Sequence, residues 1–108
     1  MNLTRNEYNV IGCACLIPDH YRRAVNELSP DHFQGDDTRE VFRMLLLYSA
    51  LIPGEDVDPL ALCEFCLMNS YHFSEEEINA IVQLSLNTAN PQSFERDLCG
   101  LLSQEPTP

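Results

Sequence analysis

NEYNVIGCACL, from Asn6 to Leu16, is the stretch of sequence that indicates the fold. Its apolar residues recur at the three- and four-residue spacing that places side chains on the same side of an α-helix. The apolar positions in and just after the segment are Tyr8, Val10, Ile11, Ala14, Cys15 and Ile17. The pattern therefore predicts a helix, and Pro18 marks its end because proline disfavours the helical conformation in the residue before it.

Two details of this first helix raise structural questions. The sequence TRNE, from Thr4 to Glu7, has the pattern of a capping box with Thr4 at the N-cap and Glu7 three residues later. Gly12 lies inside the predicted helix, where glycine costs about 1 kcal/mol relative to alanine. Either Gly12 is a tolerated substitution without a role, or a second helix approaches the backbone closely at this point.

Further helix starts follow along the chain. Asp19 is expected to cap a second helix, and Asp37 or its neighbour a third. Asp58 followed by Pro59 predicts the start of a fourth helix. Ser74 to Glu77 is a second capping box, and Asn90 with Pro91 opens a last helix. The third helix, with apolar residues around much of its circumference, is expected at the centre of the bundle.

These elements predict an all-α fold. We expect a compact, orthogonal bundle of about six helices in one domain, residues 1–103, followed by a polar tail or start of a linker at 104–108. A short turn within SPDHFQGDD is expected to place Phe33 in the core. No segment predicts a strand with certainty, although YHF, residues 71–73, is compatible with an extended conformation.

Composition narrows the classes of function. The 108-residue chain has 17 acidic residues, six arginines and no lysine, which gives a formal net charge of -11. It lacks the basic stripe that nucleic-acid binding requires, so we expect no direct binding to nucleic acid. An acidic domain suits a protein partner, including a basic one. The sequence shows no signal peptide and no membrane span, which predicts a cytoplasmic protein with reduced cysteines.

Cys63 and Cys66 have the spacing of metal ligands and of redox pairs. Zinc needs four ligands, and Cys13 and Cys15, two residues apart in a helix, point in nearly opposite directions. A redox pair begins at a helix N-terminus, whereas Cys63 is five residues inside the predicted helix. The pattern favours two small packing residues over a metal or redox site. We therefore predict no metal and no cofactor.

Catalysis is not predicted either. His20, His32 and His72 are scattered, and the first two stand next to predicted helix starts, where a surface position is expected. The four glycines are isolated, so the chain has no glycine-rich phosphate-binding loop. The sequence therefore predicts a domain that is not an enzyme.

Five segments, taken in order, resemble the N-terminal domain of replicative DNA helicases of the DnaB type. The resemblance runs from about Asn6 to Leu102 and departs from the family pattern at Gln34 and Ala61. It rests on NEYNVIGCACL, LSPDHF, TREVFRMLLLY, EDVDPLALCEF and LSLNTANPQSFERDL. The matching positions, which we interpret as mostly structural, are Glu7, Gly12, Phe33, Arg39, Phe42, Asp58, Leu62, Asn87 and Thr88.

The resemblance implies a non-catalytic protein-protein interaction domain of the DNA replication machinery. In the family this domain supports helicase assembly and docks the primase or a loader, so the expected partners are the primase C-terminal domain, helicase subunits or a loader. The final helical hairpin that pairs subunits in the family is not expected here, which predicts a monomer or a weak homodimer. The ATP site of such helicases is likewise outside the resemblance.

Two alternatives stay open at this point. The chain is either a domain of a longer helicase or a free-standing protein, such as one from a mobile element, that modulates a host primase or helicase. A different class of function also fits the charge: a small acidic protein that mimics DNA and inhibits a nucleic-acid-binding protein.

Overall fold

The computed structural model describes residues 3–70 and 73–103. Its elements, in chain order, are α1 (Leu3–Leu16), α2 (Pro18–Glu27), a 3-10 turn (Pro30–His32), α3 (Asp36–Leu51), α4 (Pro59–Asn69), α5 (Glu75–Thr88), a second 3-10 turn (Pro91–Ser93) and α6 (Phe94–Leu102). The described part of the chain contains no strand, so the predicted all-α class and the number of helices are confirmed. The predicted tail, 104–108, and His72 lie outside the described residues.

Helix α1 is the centre of the bundle. Seven consecutive residues, from Asn9 to Cys15, are buried, and α1 packs against each of the other five helices. The expectation that α3 would be central was therefore wrong. The small side chains of Gly12, Cys13, Ala14 and Cys15 explain the difference, because they let neighbouring helices approach from every side, whereas α3 keeps Arg43 and Ala50 exposed to solvent.

Gly12 marks a very close approach between α1 and α5. A Cβ atom built on Gly12 would lie 2.1 Å from the carbonyl oxygen of Ser85 and 3.0 Å from the Cβ of Ala89, both at the C-terminal part of α5 or just after it. No real side chain tolerates such a distance. Gly12 therefore allows another helix to pack closely against α1, which confirms the second of the two interpretations made from the sequence.

Several predicted helix starts are confirmed. The Asp58 side chain accepts a hydrogen bond from the Ala61 amide at 2.7 Å, and Pro59 occupies the first helical position. Ser74 and Glu77 form the reciprocal bonds of a capping box at the start of α5. Asn90 caps the second 3-10 turn, which leads directly into α6.

Three predicted caps are wrong. Helix α1 begins at Leu3, so Thr4 lies inside it rather than at its N-cap. Helix α2 begins at Pro18, with Ile17 rather than Asp19 at the N-cap. Gly35, which has no side chain to offer, occupies the N-cap of α3 in place of Asp37 or its neighbour. At α2 the reason is local, because Pro18 suits the first helical position. At α3 it is tertiary, because a side chain of α1 bonds to the Gly35 amide.

The core follows the predicted apolar positions closely. Phe33, after the first 3-10 turn, is 1% exposed and stacks on Phe42 with ring centroids 4.6 Å apart. The side chains on the inner face of α5, including Ser85, are buried as expected. Leu102, at the end of α6, remains 36% exposed.

The packing at Gly12 predicts that Gly12→Ala destabilises the protein. The gain of about 1 kcal/mol in helix propensity is outweighed by overpacking, so we expect the free energy of unfolding to fall by about 2 kcal/mol or more. Gly100→Ala is the matched control, because a Cβ on Gly100 meets only the Asn6 side chain at 3.6 Å. That variant should be neutral or more stable. Urea unfolding of both variants checks the prediction, and equal stability of the two would contradict it.

Candidate interaction surface

Glu7 is a fully buried acidic side chain that caps α3 from another helix. Its carboxylate accepts hydrogen bonds from the backbone amides of Gln34 at 2.9 Å and Gly35 at 3.2 Å, and from the hydroxyl of Thr38. It therefore satisfies the amide of the N-cap residue Gly35, as the acid at the third helical position of a capping box does, but from a different helix. The favourable interaction of an acid with a helix N-terminus acts in the same direction.

Arg39 holds the same loop from its other side. Its guanidinium donates to the carbonyl oxygens of Phe33 at 3.1 Å and Gln34 at 3.4 Å, and pairs with Asp36. Glu7 thus binds amide groups of the loop 33–35 while Arg39 binds its carbonyl groups. The structure brings together Glu7, Phe33, Arg39 and Phe42, which were separate positions in the sequence.

A second buried polar cluster joins α1 to the start of α6. Asn9 donates to the Asp97 carboxylate at 2.5 Å and accepts from the Asn90 amide at 2.6 Å. Asn9 is 2% exposed and Asp97 4%. Sequence reasoning missed this pair, because single polar residues 88 positions apart carry no local pattern.

The remaining motif positions lie apart from these clusters. Thr88 is half-buried at the last residue of α5, and Asn87 beside it is exposed. Asp58 starts α4, and Leu62 of α4 is fully buried. Thr88 lines a polar pocket of about 20 Å³ with Asn9 and Asp97, a volume that holds no more than a water-sized group.

The five cysteines are free thiols: Cys13, Cys15 and Cys66 are buried, Cys63 is half-buried and Cys99 is exposed. Burial raises the pKa of Cys15 and of Cys66 to about 12, and raises the pKa of Cys63 as well. Neighbouring thiols also contribute to the pKa of Cys15, which places α1 close to this side of α4. Among residues 3–70 and 73–103, no group of three or more His, Cys, Asp or Glu side chains could hold a metal ion.

The histidines that the structure describes have local partners. The His32 ring nitrogen accepts a hydrogen bond from the Ser29 amide at 2.9 Å, which closes the first 3-10 turn. His20 is half-buried and lies against Phe94, with ring centroids 3.9 Å apart, and burial lowers its pKa. The His32 Nδ1 also lies 3.3 Å from the Ser29 hydroxyl, but the same nitrogen accepts the Ser29 amide hydrogen bond that closes the turn.

Helix α4 presents apolar side chains to solvent as well as to the core. Leu62 and Cys66 are buried, while Leu60 is 69%, Leu67 43% and Met68 77% exposed. Glu64 is the only charged residue of this helix. Exposed apolar residues gathered on one helix are typical of a surface that contacts another protein.

Two open grooves also lie on the surface. The first, of about 260 Å³, is formed by α2, the end of α3 and the loop after it. Its lining includes Tyr21, Val25, Ile52 and Glu55. The second, of about 630 Å³, runs beside α3 and is lined by Arg39, Arg43 and acidic residues that pair with them.

Arginines are mostly neutralised within the described part of the chain. Ion pairs join Arg22 to Asp19 and Asp56, Arg23 to Glu27 and Glu95, Arg39 to Asp36, Arg43 to Glu40, and Arg96 to Asp97. The surface therefore offers no cluster of free cations to phosphate groups. None of the described helices combines the length and the apolar character needed to cross a membrane.

Fold and surface together define an all-helical domain in which several motif positions, among them Glu7, Gly12 and Phe33, are buried. The family model described as DnaB-like helicase N-terminal domain matches residues 2–97. The chain belongs to this family. No curated protein and no solved structure matches it significantly.

The buried cap predicts a large effect of Glu7→Gln. The amide that replaces one oxygen would face N–H and O–H donors, and each donor left unpaired costs about 1–3 kcal/mol. We expect the free energy of unfolding to fall by about 3 kcal/mol in total. The same substitution at the exposed Glu77 should change it by less than about 0.5 kcal/mol, because glutamine also completes a capping box. Similar losses in both variants, measured by chemical denaturation, would contradict the tertiary cap.

Thiol reactivity provides a second test of the structure. Cys99 is exposed, whereas Cys15 and Cys66, with pKa values of about 12, remain protonated at neutral pH. Iodoacetamide at neutral or mildly basic pH should therefore modify Cys99 first, and Cys15 and Cys66 only when the protein unfolds. Mass spectrometry of tryptic peptides measures this order. Rapid modification of Cys66 in the native protein would show that α4 is not packed as described.

Proposed function

We propose that this chain is a non-catalytic protein-protein interaction domain of the DNA replication machinery. Membership of the DnaB-like helicase N-terminal domain family is the observation that carries this proposal. The proposed partners are the C-terminal domain of a primase, other helicase subunits or a loader. The positions that match the family pattern have structural roles in this proposal and do not form a binding site themselves.

The described surface supports a role in protein binding. Leu60 and Met68 of α4 are more than two-thirds exposed, and Glu64 is the only charged residue of this helix. Burying such side chains at an interface contributes about 25 cal/mol per Å² of apolar area removed from water. Interfaces of this kind persist in salt, because apolar contacts are not screened as charge pairs are.

The net charge of -11 favours a second candidate function, which is mimicry of DNA. A chain that mimics DNA would bind a basic protein through charge alone. Its binding would then fall steeply with ionic strength, since the Debye length shortens from about 10 Å at 0.1 M to about 3 Å at 1 M salt. Salt dependence therefore separates the two candidates.

Capture from a lysate of the source organism tests the proposed function. With the tagged chain as bait, we expect primase or helicase to be recovered at about 0.1 M and still at about 0.5 M salt. Leu60→Gln combined with Met68→Gln should reduce this recovery, because it removes exposed apolar contacts from α4. Leu16→Gln, which alters an exposed leucine of α1, is the matched control and should not.

Identification of the captured proteins by mass spectrometry decides the outcome. Recovery of neither primase nor helicase would contradict the proposed function. Recovery only of basic nucleic-acid-binding proteins, lost at about 0.5 M salt, would favour the DNA-mimic function instead.

A further inference from the structure

The groove between α2 and the loop after α3, here named the Tyr21 groove, has the size of a site for part of a protein chain. It is lined by residues of α2, by Ser49 and Ile52 near the end of α3, and by the loop through Asp56. Its volume of about 260 Å³ lies below the roughly 300–1,000 Å³ of pockets that enclose a small molecule. It therefore suits one or two side chains of a partner.

Tyr21 brings an unsatisfied polar group to this groove. Its side chain is 4% exposed, and its buried hydroxyl has no hydrogen-bond partner among the described residues. The Ser49 hydroxyl lies near that of Tyr21, but the two do not meet the geometry of a hydrogen bond, and Ser49 donates instead to the Leu46 carbonyl at 2.7 Å. Buried polar groups without partners are uncommon in folded proteins, so each one needs an explanation.

The loop after α3 lines the groove beside Tyr21. Residues 53–56 are exposed, and Val57 is the first buried residue after them. Gly54 adopts a positive φ of 87°, and a Cβ built there would meet nothing within 4 Å. Since the Tyr21 hydroxyl is buried, contact with a partner requires a local displacement, for which this exposed loop is the candidate segment.

The charges of the groove specify the chemistry of the partner. Glu55 is exposed and forms no ion pair in the described part of the chain. Asp56 pairs with Arg22 at 3.1 Å, but both side chains are substantially exposed, and such surface pairs are weak. The half-buried Val25 and Ile52 offer an apolar wall. A long cationic side chain fits this combination, because its methylene groups pack on apolar surface while its charge meets a carboxylate.

We propose that the Tyr21 groove is the docking site for an extended protein segment that carries a lysine or arginine next to an apolar residue. The cation pairs with Glu55, and a backbone carbonyl of the segment accepts the hydrogen bond of the Tyr21 hydroxyl. The net charge of -11 draws such a segment toward the domain. This inference rests on the proposed function, because it names the chemistry of one partner segment of an interaction domain.

A library of random heptapeptides displayed on phage, selected against the purified chain, tests this proposal. The selected peptides are expected to carry lysine or arginine, and their affinity is measured by fluorescence anisotropy. Glu55→Gln should weaken binding about threefold to fivefold, as for the loss of an exposed ion pair. Tyr21→Phe should weaken it about fivefold, as for the loss of one hydrogen bond.

Two further measurements distinguish docking from a structural role. Tyr21→Phe should not lower the melting temperature, because it removes an unsatisfied hydroxyl, so affinity and stability change in different ways. Arg22→Ala frees Asp56 and should tighten binding about threefold. Glu76→Gln, an exposed acid of α5 with the same change in net charge, is the control and should leave the affinity unchanged.

Several results would overturn the proposal. These are the selection of no peptide, the selection of acidic peptides, weaker binding by Arg22→Ala, or equal effects of Glu55→Gln and Glu76→Gln. The proposed function fails separately. If the chain binds basic peptides but recovers neither primase nor helicase, the proposed replication role is contradicted. The groove would still be a site for basic segments.

Discussion

The contact between α1 and the backbone of α5 is the constraint on which the rest of the bundle depends. At Gly12 there is no room for even one carbon atom beyond the glycine backbone. This close approach places a helix of small residues at the centre, where α2 to α6 all pack against it. A central helix with large side chains would need wider helix spacing, and the buried hydrogen bonds of Glu7 and Asn9 in the first half of α1 would then lose their partners.

Those hydrogen bonds show how a small domain fixes its loops. Glu7 caps α3, and Asn9 joins α1 to α6 through Asp97 and the Asn90 amide. Buried polar groups of this kind stabilise only when each donor and acceptor is satisfied. The two clusters therefore fix where α3 and α6 begin, and with them the position of the exposed faces that neighbouring proteins can reach.

The surface that results is acidic but not uniform. Most arginines pair with nearby acids, which leaves excess negative charge spread over the helices, while α4 carries exposed apolar residues. A domain that binds proteins can combine both features, because charge accelerates encounter and apolar burial slows dissociation. Among the buried side chains that the structure describes, the Tyr21 hydroxyl is the polar group without a hydrogen-bond partner. It lies beside a groove that is also lined by the carboxylate of Glu55.

The sequence by itself determined the helices, the local caps at Asp58 and Ser74 and the family, because these depend on residues a few positions apart or on ordered motifs. For Gly12 it left two interpretations open, and the position of the Ser85 carbonyl oxygen decided between them. The sequence did not determine that Glu7 caps α3, that Asn9 meets Asp97, or that α1 rather than α3 is central. Those features depend on side chains that meet only after folding. Burial and hydrogen bonding across 27 to 88 positions of sequence decide them, and no local pattern records such contacts.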